Sequence, residues 1–356
     1  MENKLILVSL DSHNSNVTEF LGKHLESLKL DDSLAEVRTG SNFITCLEEL
    51  NEGKCDALVM NAVELHGKEL DMLKLECRVN GAITPRRASL LLISENKINY
   101  QPKSSIILCD HKLIRRQLRR SRKDLRVLST KAFISINNLK TDYSDEHKKI
   151  LWMEEMKNKN EIGGYVTSRV MYDNLNLNGR RHALLPDPKE GGGDHFLPLP
   201  YSDLIIFLTR KSSPQSITKV LSEREGETIW WIQNQILGSM EIEELSNIGI
   251  LVRHRRVKSL MEEAEKYRDL TLEQACHNAE GEVLESEVHV EVKLERISKN
   301  GKRTISIHRV IPYSKFEYAT ISLIRDWEVI LREVSQDVPQ DFVLDKAAGA
   351  FINLQE

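Results

Sequence analysis

Hydrophobic positions in the first 130 residues switch between two spacings. Leu5-Ile6-Leu7-Val8 is a short continuous apolar run, which predicts a buried strand. Val17 to Leu30 places Val17, Leu21, Leu25 and Leu28 on one helical face, and Phe43 to Leu50 is a second amphipathic stretch. Asp56 to Met60, Leu90 to Ile93 and Ile106 to Leu108 are further apolar runs of strand length. Strands alternating with helices predict βαβ units around a mainly parallel sheet.

The pattern then loosens. Residues 131–160 are polar, and 163–200 are rich in Gly, Pro and Asn, including Pro186-Asp187-Pro188 and Gly191-Gly192-Gly193, as expected of loops around short elements. Leu204 to Leu208 reads as a buried strand and Lys211-Ser212-Ser213-Pro214 as a linker. Beyond it, 215–275 is mostly helical in pattern, with an apolar stripe of Trp230, Trp231, Ile232, Ile236 and Leu237 and a short strand at Ile248 to Val252. Val288 to Leu294 and Thr304 to Ile311 alternate apolar with polar residues about Asn300-Gly301, a strong hairpin signal, and Phe316 to Val334 closes the chain as an amphipathic helix. The expected C-terminal third is an antiparallel sheet covered by helices. No repeat of 20 to 50 residues is visible.

Composition changes this picture little. The 356 residues are 40% hydrophobic and 29% charged, an ordinary globular balance that excludes disordered and collagenous classes. With 50 basic and 54 acidic residues the formal net charge is −4, so binding to nucleic acid or an anionic membrane would need a local patch. No apolar run approaches the length of a membrane helix, and no signal-peptide pattern follows Met1, so the expected location is cytoplasmic. The cysteines Cys46, Cys55, Cys77, Cys109 and Cys276 are odd in number and form no CxxC, which argues against a disulfide framework or a zinc knuckle.

Two constellations offer chemistry. Lys112, Arg115, Arg116, Arg119, Arg120, Arg122, Lys123 and Arg126 fall together; a helix here puts cations on several sides, either as a solvated face or as a cradle for carboxylates and phosphates. Nucleic acid is the weaker version, because the segment lacks aromatic residues to stack on bases. Glu64 follows the Asp56 to Met60 strand, where ligands of α/β sheets usually bind. His66, His111, His254 and His277 have no metal-ligand spacing, and neither a phosphate-binding loop nor a nucleophile elbow is present.

At these residues the chain resembles the porphobilinogen deaminase (hydroxymethylbilane synthase) family. Gly53, Asp56, Val59, Glu64 and Leu65 stand at the places of the family's G-x-x-D-x-x-V-H-S-x-K-D-L pattern, with Glu64 at the catalytic aspartate. Ile114-Arg115-Arg116-Gln117, followed by Arg122-Lys123-Asp124-Leu125, resembles the family's cofactor-binding arginine segment, and Leu197-Pro198-Leu199-Pro200 its crossover between domains. Ala264-Glu265-Lys266, Cys276 and Asn300-Gly301 follow the order of its third domain. Departures accompany these matches: Val63 replaces a lysine, Met60 and Asn61 a histidine and a serine, and residues 215–255 look inserted.

The resemblance implies two periplasmic-binding-protein-like α/β domains around a cleft plus a C-terminal α+β domain with an antiparallel sheet. Their expected spans are 1–103 with 194–212, 104–193, and 213–356 with the helical insertion at about 215–255. It also implies a tetrapyrrole-pathway transferase that polymerises porphobilinogen, a small polycarboxylate pyrrole, on a dipyrromethane. Glu64 would be catalytic, Cys276 would carry the dipyrromethane, and Arg115 and Arg116 would hold its carboxylates. The alternative is a catalytically degenerate relative acting as a ligand-binding or protein-interaction module, with 215–255 as the surface for a protein partner. Neither reading needs a metal, a membrane or nucleic acid.

Overall fold

The computed structural model describes residues 4–12, 15–28, 35–85, 89–139, 141, 145–187, 195–202, 204–214, 216–238, 240, 242–278, 280–284 and 287–337. The glycine run Gly191-Gly192-Gly193 and the N-terminal Met1 lie outside them. The strands are β1 (Leu5–Leu10), β2 (Ala35–Thr39), β3 (Ala57–Asn61), β4 (Cys77–Ile83), β5 (Leu90–Ile93), β6 (Ile106–Leu108), β7 (Arg126–Leu128), β8 (Gly164–Ser168), β9 (Arg181–Ala183), β10 (Ile205–Arg210), β11 (Ile248–Arg256), β12 (Val288–Ile297) and β13 (Thr304–Pro312).

They form two five-stranded sheets and one of three strands. The order in the first is β2-β1-β3-β10-β4, in the second β7-β6-β8-β5-β9, and in the third β11-β12-β13. In the first sheet β1 runs parallel to β2 and β3, while β10 is antiparallel to β3 and β4. The second repeats the plan, with β6 parallel to β7 and β8, and β5 antiparallel to β9. Each sheet therefore has a parallel strand at an inner position flanked by the next two; the fourth place goes to β10, far away in sequence, in the first sheet and to β5, the strand just before β6, in the second. This is the expected α/β class with a C-terminal antiparallel sheet.

The described chain divides into two compact units. One comprises Met1–Ser89, Ser168–Asn176 and Tyr201–Asn234; the other comprises Leu90–Thr167, Leu177–Pro200 and Gln235–Glu356, so the three-stranded sheet belongs with the second α/β sheet. In the first unit, Leu7, Val17, Leu21, Ala57, Val59, Ile205, Phe207 and Leu221 form one buried cluster. In the second, Leu90, Leu92, Ile107, Ile114, Leu118, Val127 and Val166 do the same. Each Leu, Ile, Val or Phe among them contributes about 1.5–3 kcal/mol on leaving water.

Both α/β sheets fix a helix start with the same device. Asp11, just past β1, accepts the N–H of Thr18 at 2.8 Å and its hydroxyl at 2.8 Å in the first turn of helix Val17–Ser27. Asp110, past β6, does so for Thr130 at 2.8 and 3.1 Å in helix Thr130–Asn137. A carboxylate there satisfies donors that the helix itself leaves free and suits the positive end of its dipole.

Residues 131–160 differ from expectation: they hold most of helix Thr130–Asn137 and all of Glu146–Asn158, which buries Ile150, Met153 and Met156. The expected insertion also carries much of its apolar content inward. Ile229, Ile232, Ile236 and Leu237 of helix Arg224–Leu237 are buried, and Gln233 accepts the N–H of Tyr201 at 2.7 Å. No helix is long and apolar enough to cross a membrane among the described residues.

Candidate functional site

Glu64 ends the single-turn helix Ala62–Glu64 directly after β3. Its carboxylate lies 3.9 Å from the ammonium of Lys68, which in turn sits 5.1 Å from the centre of the Phe43 ring. The position is the strand end expected from the sequence, and the side chain is partly exposed.

Arg115 and Arg116 lie on helix Lys112–Ser121 and are buried. Arg115 donates from Nη1 to the Cys109 carbonyl at 2.8 Å, and Arg116 from Nη1 to the Ile297 carbonyl at 2.9 Å. Arg119 and Arg120 follow suit, whereas Lys112, Lys123 and Arg126 of the same basic segment are exposed. Arg119 donates to the carbonyls of Lys299 and Val127, and Arg120 to the Glu295 carboxylate at 2.7 Å and the His195 carbonyl at 2.7 Å. Gln117 completes the set by donating to Glu295 Oε1 at 2.8 Å. The helix thus clamps the β12–β13 hairpin, because forked guanidinium groups can engage the carbonyls at the strand end and in the turn.

Cys276 is fully buried among Val257, Leu260, Ala264 and Leu272, with its thiol directed to the Leu272 carbonyl at 3.4 Å. Burial also pushes the thiol above its ordinary pKa, although Arg255 opposes the shift. A dipyrromethane thioether needs room for two pyrrole rings and an accessible thiolate. This packed cluster offers neither, so the cofactor does not fit here.

The three-stranded sheet has one apolar face, with Val290, Val292 and Leu294 buried. Its other face carries buried charge. Glu291, at 1% exposure, receives Arg253 Nε at 2.5 Å, Arg255 Nη1 at 3.0 Å, the Lys293 ammonium at 3.0 Å and His308 Nε2 at 3.0 Å. Asp187 and Glu263 pair with the outer atoms of Arg253 and Arg255. Burial alone would raise the Glu291 carboxyl, but His308, Arg253 and Lys293 outweigh it and hold the group far below the usual carboxylate range. The three acids and three permanent cations balance, as a structural network requires.

A different cluster sits at the carboxyl end of β6, between the two parallel neighbours where the strand order changes direction and where α/β sheets usually take ligands. Asp110, besides Thr130, meets the Lys149 ammonium at 2.9 Å, and Lys149 also meets Glu146 at 2.6 Å. Burial would raise Asp110, yet Lys149 and Thr130 bring it below its ordinary value. His111 is lowered by burial, against the pull of Asp110 and Glu146, which favours the neutral imidazole. Helix Lys112–Ser121 begins at His111 with no side-chain cap, unlike the helices starting at Val17, Phe43, Thr130 and Arg169, which Asn16, Asn42, Ser129 and Ser168 cap. The sequence held the signal for this cluster: an acid and a histidine directly after the Ile106 to Leu108 run, the same reasoning that singled out Glu64. Among the described residues no group of His, Cys, Asp and Glu could hold a metal ion.

No family model and no curated protein matches the chain. Solved structures give likenesses of low score. A pheromone cOB1 precursor/lipoprotein of the YaeC family from Enterococcus faecalis is 16% identical over 62% of this chain and 90% of its own, with a TM-score of 0.32. The periplasmic aliphatic sulphonate binding protein of Escherichia coli is 13% identical over 58% and 61%, at 0.30. Immunogenic lipoprotein A of Vibrio vulnificus is 10% identical over 64% and 98%, at 0.31. These likenesses run to lipoproteins and a binding protein rather than to porphobilinogen deaminase, which overturns the expected family. The transferase reading, the tetrapyrrole pathway and the pyrrole substrate go with it. The expected cytoplasmic location is likewise withdrawn, since these neighbours are described as lipoproteins or periplasmic.

Proposed function

We propose that this chain is a binding protein for a small anionic molecule, held at the carboxyl end of β6. The observation that carries the reading is the uncapped start of helix Lys112–Ser121 beside the His111 imidazole. Unfilled N–H groups and the positive end of the helix dipole favour an oxyanion there. Asp110 and Glu146 do not oppose it strongly, because Lys149 engages both carboxylates. A carboxylate, sulfonate or phosphate group fits this chemistry equally well.

Thermal-shift and calorimetric titration with a panel of small carboxylates, sulfonates and phosphates tests the reading. A ligand at a hundred times its Kd should stabilise the protein by about 2.7 kcal/mol. Lys112→Pro sharpens the test, because proline is tolerated at the first helical position and removes one of the proposed donors. Loss of that charge-assisted bond should weaken binding by roughly 10- to 150-fold, the equivalent of the 1.5–3 kcal/mol expected for such bonds. A panel without a binder, or a binder indifferent to Lys112→Pro, would refute the site.

A further inference from the structure

The three-stranded sheet ends on β13, a nine-residue strand, and the outer edge of this strand has no main-chain partner among the described residues. Other edges of the molecule are protected. The outer side of β4 is covered: Ser222 accepts the N–H of Ala82 at 3.0 Å, the Ala82 carbonyl takes the N–H of Glu223 at 3.0 Å, and Thr218 donates to the Asn80 carbonyl at 2.6 Å. On β11 the N–H of Ile250 reaches the Pro198 carbonyl at 3.0 Å. Strands β7 and β9 are three residues long, and short β2 carries the exposed pair Glu36 and Arg38. Short length, charge and cover are the usual means of blunting an edge.

Strand β13 is neither short nor covered among the described residues. Its sequence, Thr304-Ile305-Ser306-Ile307-His308-Arg309-Val310-Ile311-Pro312, is dominated by β-branched residues, which favour strand pairing. Its two basic side chains are already engaged: His308 with Glu291 at 3.0 Å, and Arg309 with Asp326. Neither charge is left to repel an added strand.

We infer that β13 is the interface between two copies of this chain, joined by antiparallel addition of β13 to β13 into a continuous six-stranded sheet. The strand is self-complementary about a two-fold axis at His308. Antiparallel pairing about that axis sets Ile305 opposite Ile311 of the second copy, Ser306 opposite its Val310, and Thr304 opposite its Pro312. Apolar side chains then meet on the face that already buries Ile305 and Ile311, and no acid or pair of free cations is opposed. An isologous contact of this kind closes after two copies, so it consumes the edge instead of propagating a fibre.

Light scattering coupled to size exclusion over a dilution series reads the mass. The expected species has twice the 40.9 kDa of one chain and dissociates on dilution. Thr304→Lys with Ser306→Lys places two ammonium groups on exposed edge positions and should return the mass to one chain with an unchanged circular dichroism spectrum. Amide exchange of residues 304–312 should be slower in the concentrated wild type than in the dilute one. A wild type that is monomeric throughout, a dimer that survives the lysine pair, or exchange of β13 that ignores concentration each overturns the inference.

Discussion

Gly301, at the tip of the β12–β13 hairpin, lies so close to Arg116 that a Cβ at Gly301 would stand 2.9 Å from the Arg116 carbonyl oxygen and 2.9 Å from the Arg120 nitrogen. Its φ of +71° is also in the left-handed region. The hairpin turn is thus seated on helix Lys112–Ser121 backbone to backbone, and the guanidinium groups of Arg116 and Arg119 close around it through the Ile297 and Lys299 carbonyls.

Gly301→Ala therefore meets two penalties, backbone strain and a contact with main-chain atoms that cannot swing aside. We expect a loss of about 1–3 kcal/mol in urea or guanidinium unfolding. A change under about 0.5 kcal/mol would mean that the turn can lift off the helix at little cost.

Much of the architecture could be read from the sequence, for a physical reason. Strands buried on both sides are continuous apolar runs, and β5 and β6 coincide with Leu90 to Ile93 and Ile106 to Leu108. Strand β4 was missed because Asn80 and Gly81 interrupt its pattern; its pairing is supported instead by Thr218 and Ser222, about 140 residues away in sequence. The basic segment misled for a related reason. Residue types reveal guanidinium groups but not the carbonyls that hold them, and Ile297 and Lys299 supply main-chain atoms any residue could have offered. The family resemblance rested on residue order alone, and Cys276 illustrates its limit: the position matched while the surroundings are a packed apolar cluster.

Glu291 should be the costliest polar side chain to remove. Glu291→Ala leaves Arg253, Arg255 and Lys293 around an empty centre, and breaking a buried ion network in this way typically costs about 3–5 kcal/mol. The acid limb follows from the same carboxylates. Glu291, Glu295, Asp187 and Asp110 are all lowered in the folded state, so their stabilising contribution is present above the unfolded carboxylate values near 4 and is lost as pH falls through the folded ones. Urea midpoints measured between pH 7 and pH 3 should fall steeply below about pH 4.5, and less steeply in Glu291→Gln. A flat profile across that range would contradict the buried network.

Histidine sets a second, milder limb. His289 is fully buried, its Nε2 sits 3.0 Å from the Ala275 carbonyl, and its Nδ1 has no hydrogen-bond partner. Burial lowers its pKa more than the Ala275 bond and Glu287 raise it. A group depressed in the folded state stabilises fully above its unfolded value, near 6.5, and progressively less as pH falls below it. Stability should therefore already decline between about pH 6.5 and pH 5, before the carboxylates titrate. His289→Gln should make this interval shallower, the remainder belonging to His111, which burial lowers in the same direction, and should leave the steeper acid limb in place; equal slopes in the two proteins would show that His289 does not contribute.

Thiol reactivity gives the last test, and it bears on the correction at Cys276. All five cysteines are buried. Burial pushes the Cys55 and Cys109 thiols up to about 12 and raises Cys46, Cys77 and Cys276 as well. Since the thiolate is the reacting species, none should react quickly with an aromatic disulfide reagent in the native protein near pH 8, and all five should react after unfolding. The rate at Cys276 should track unfolding, because exposing it requires Val257, Leu260, Ala264 and Leu272 to separate. A single fast native thiol mapped to Cys276 would mean that this cluster opens independently of the fold, and the case against a covalent group there would have to be made again.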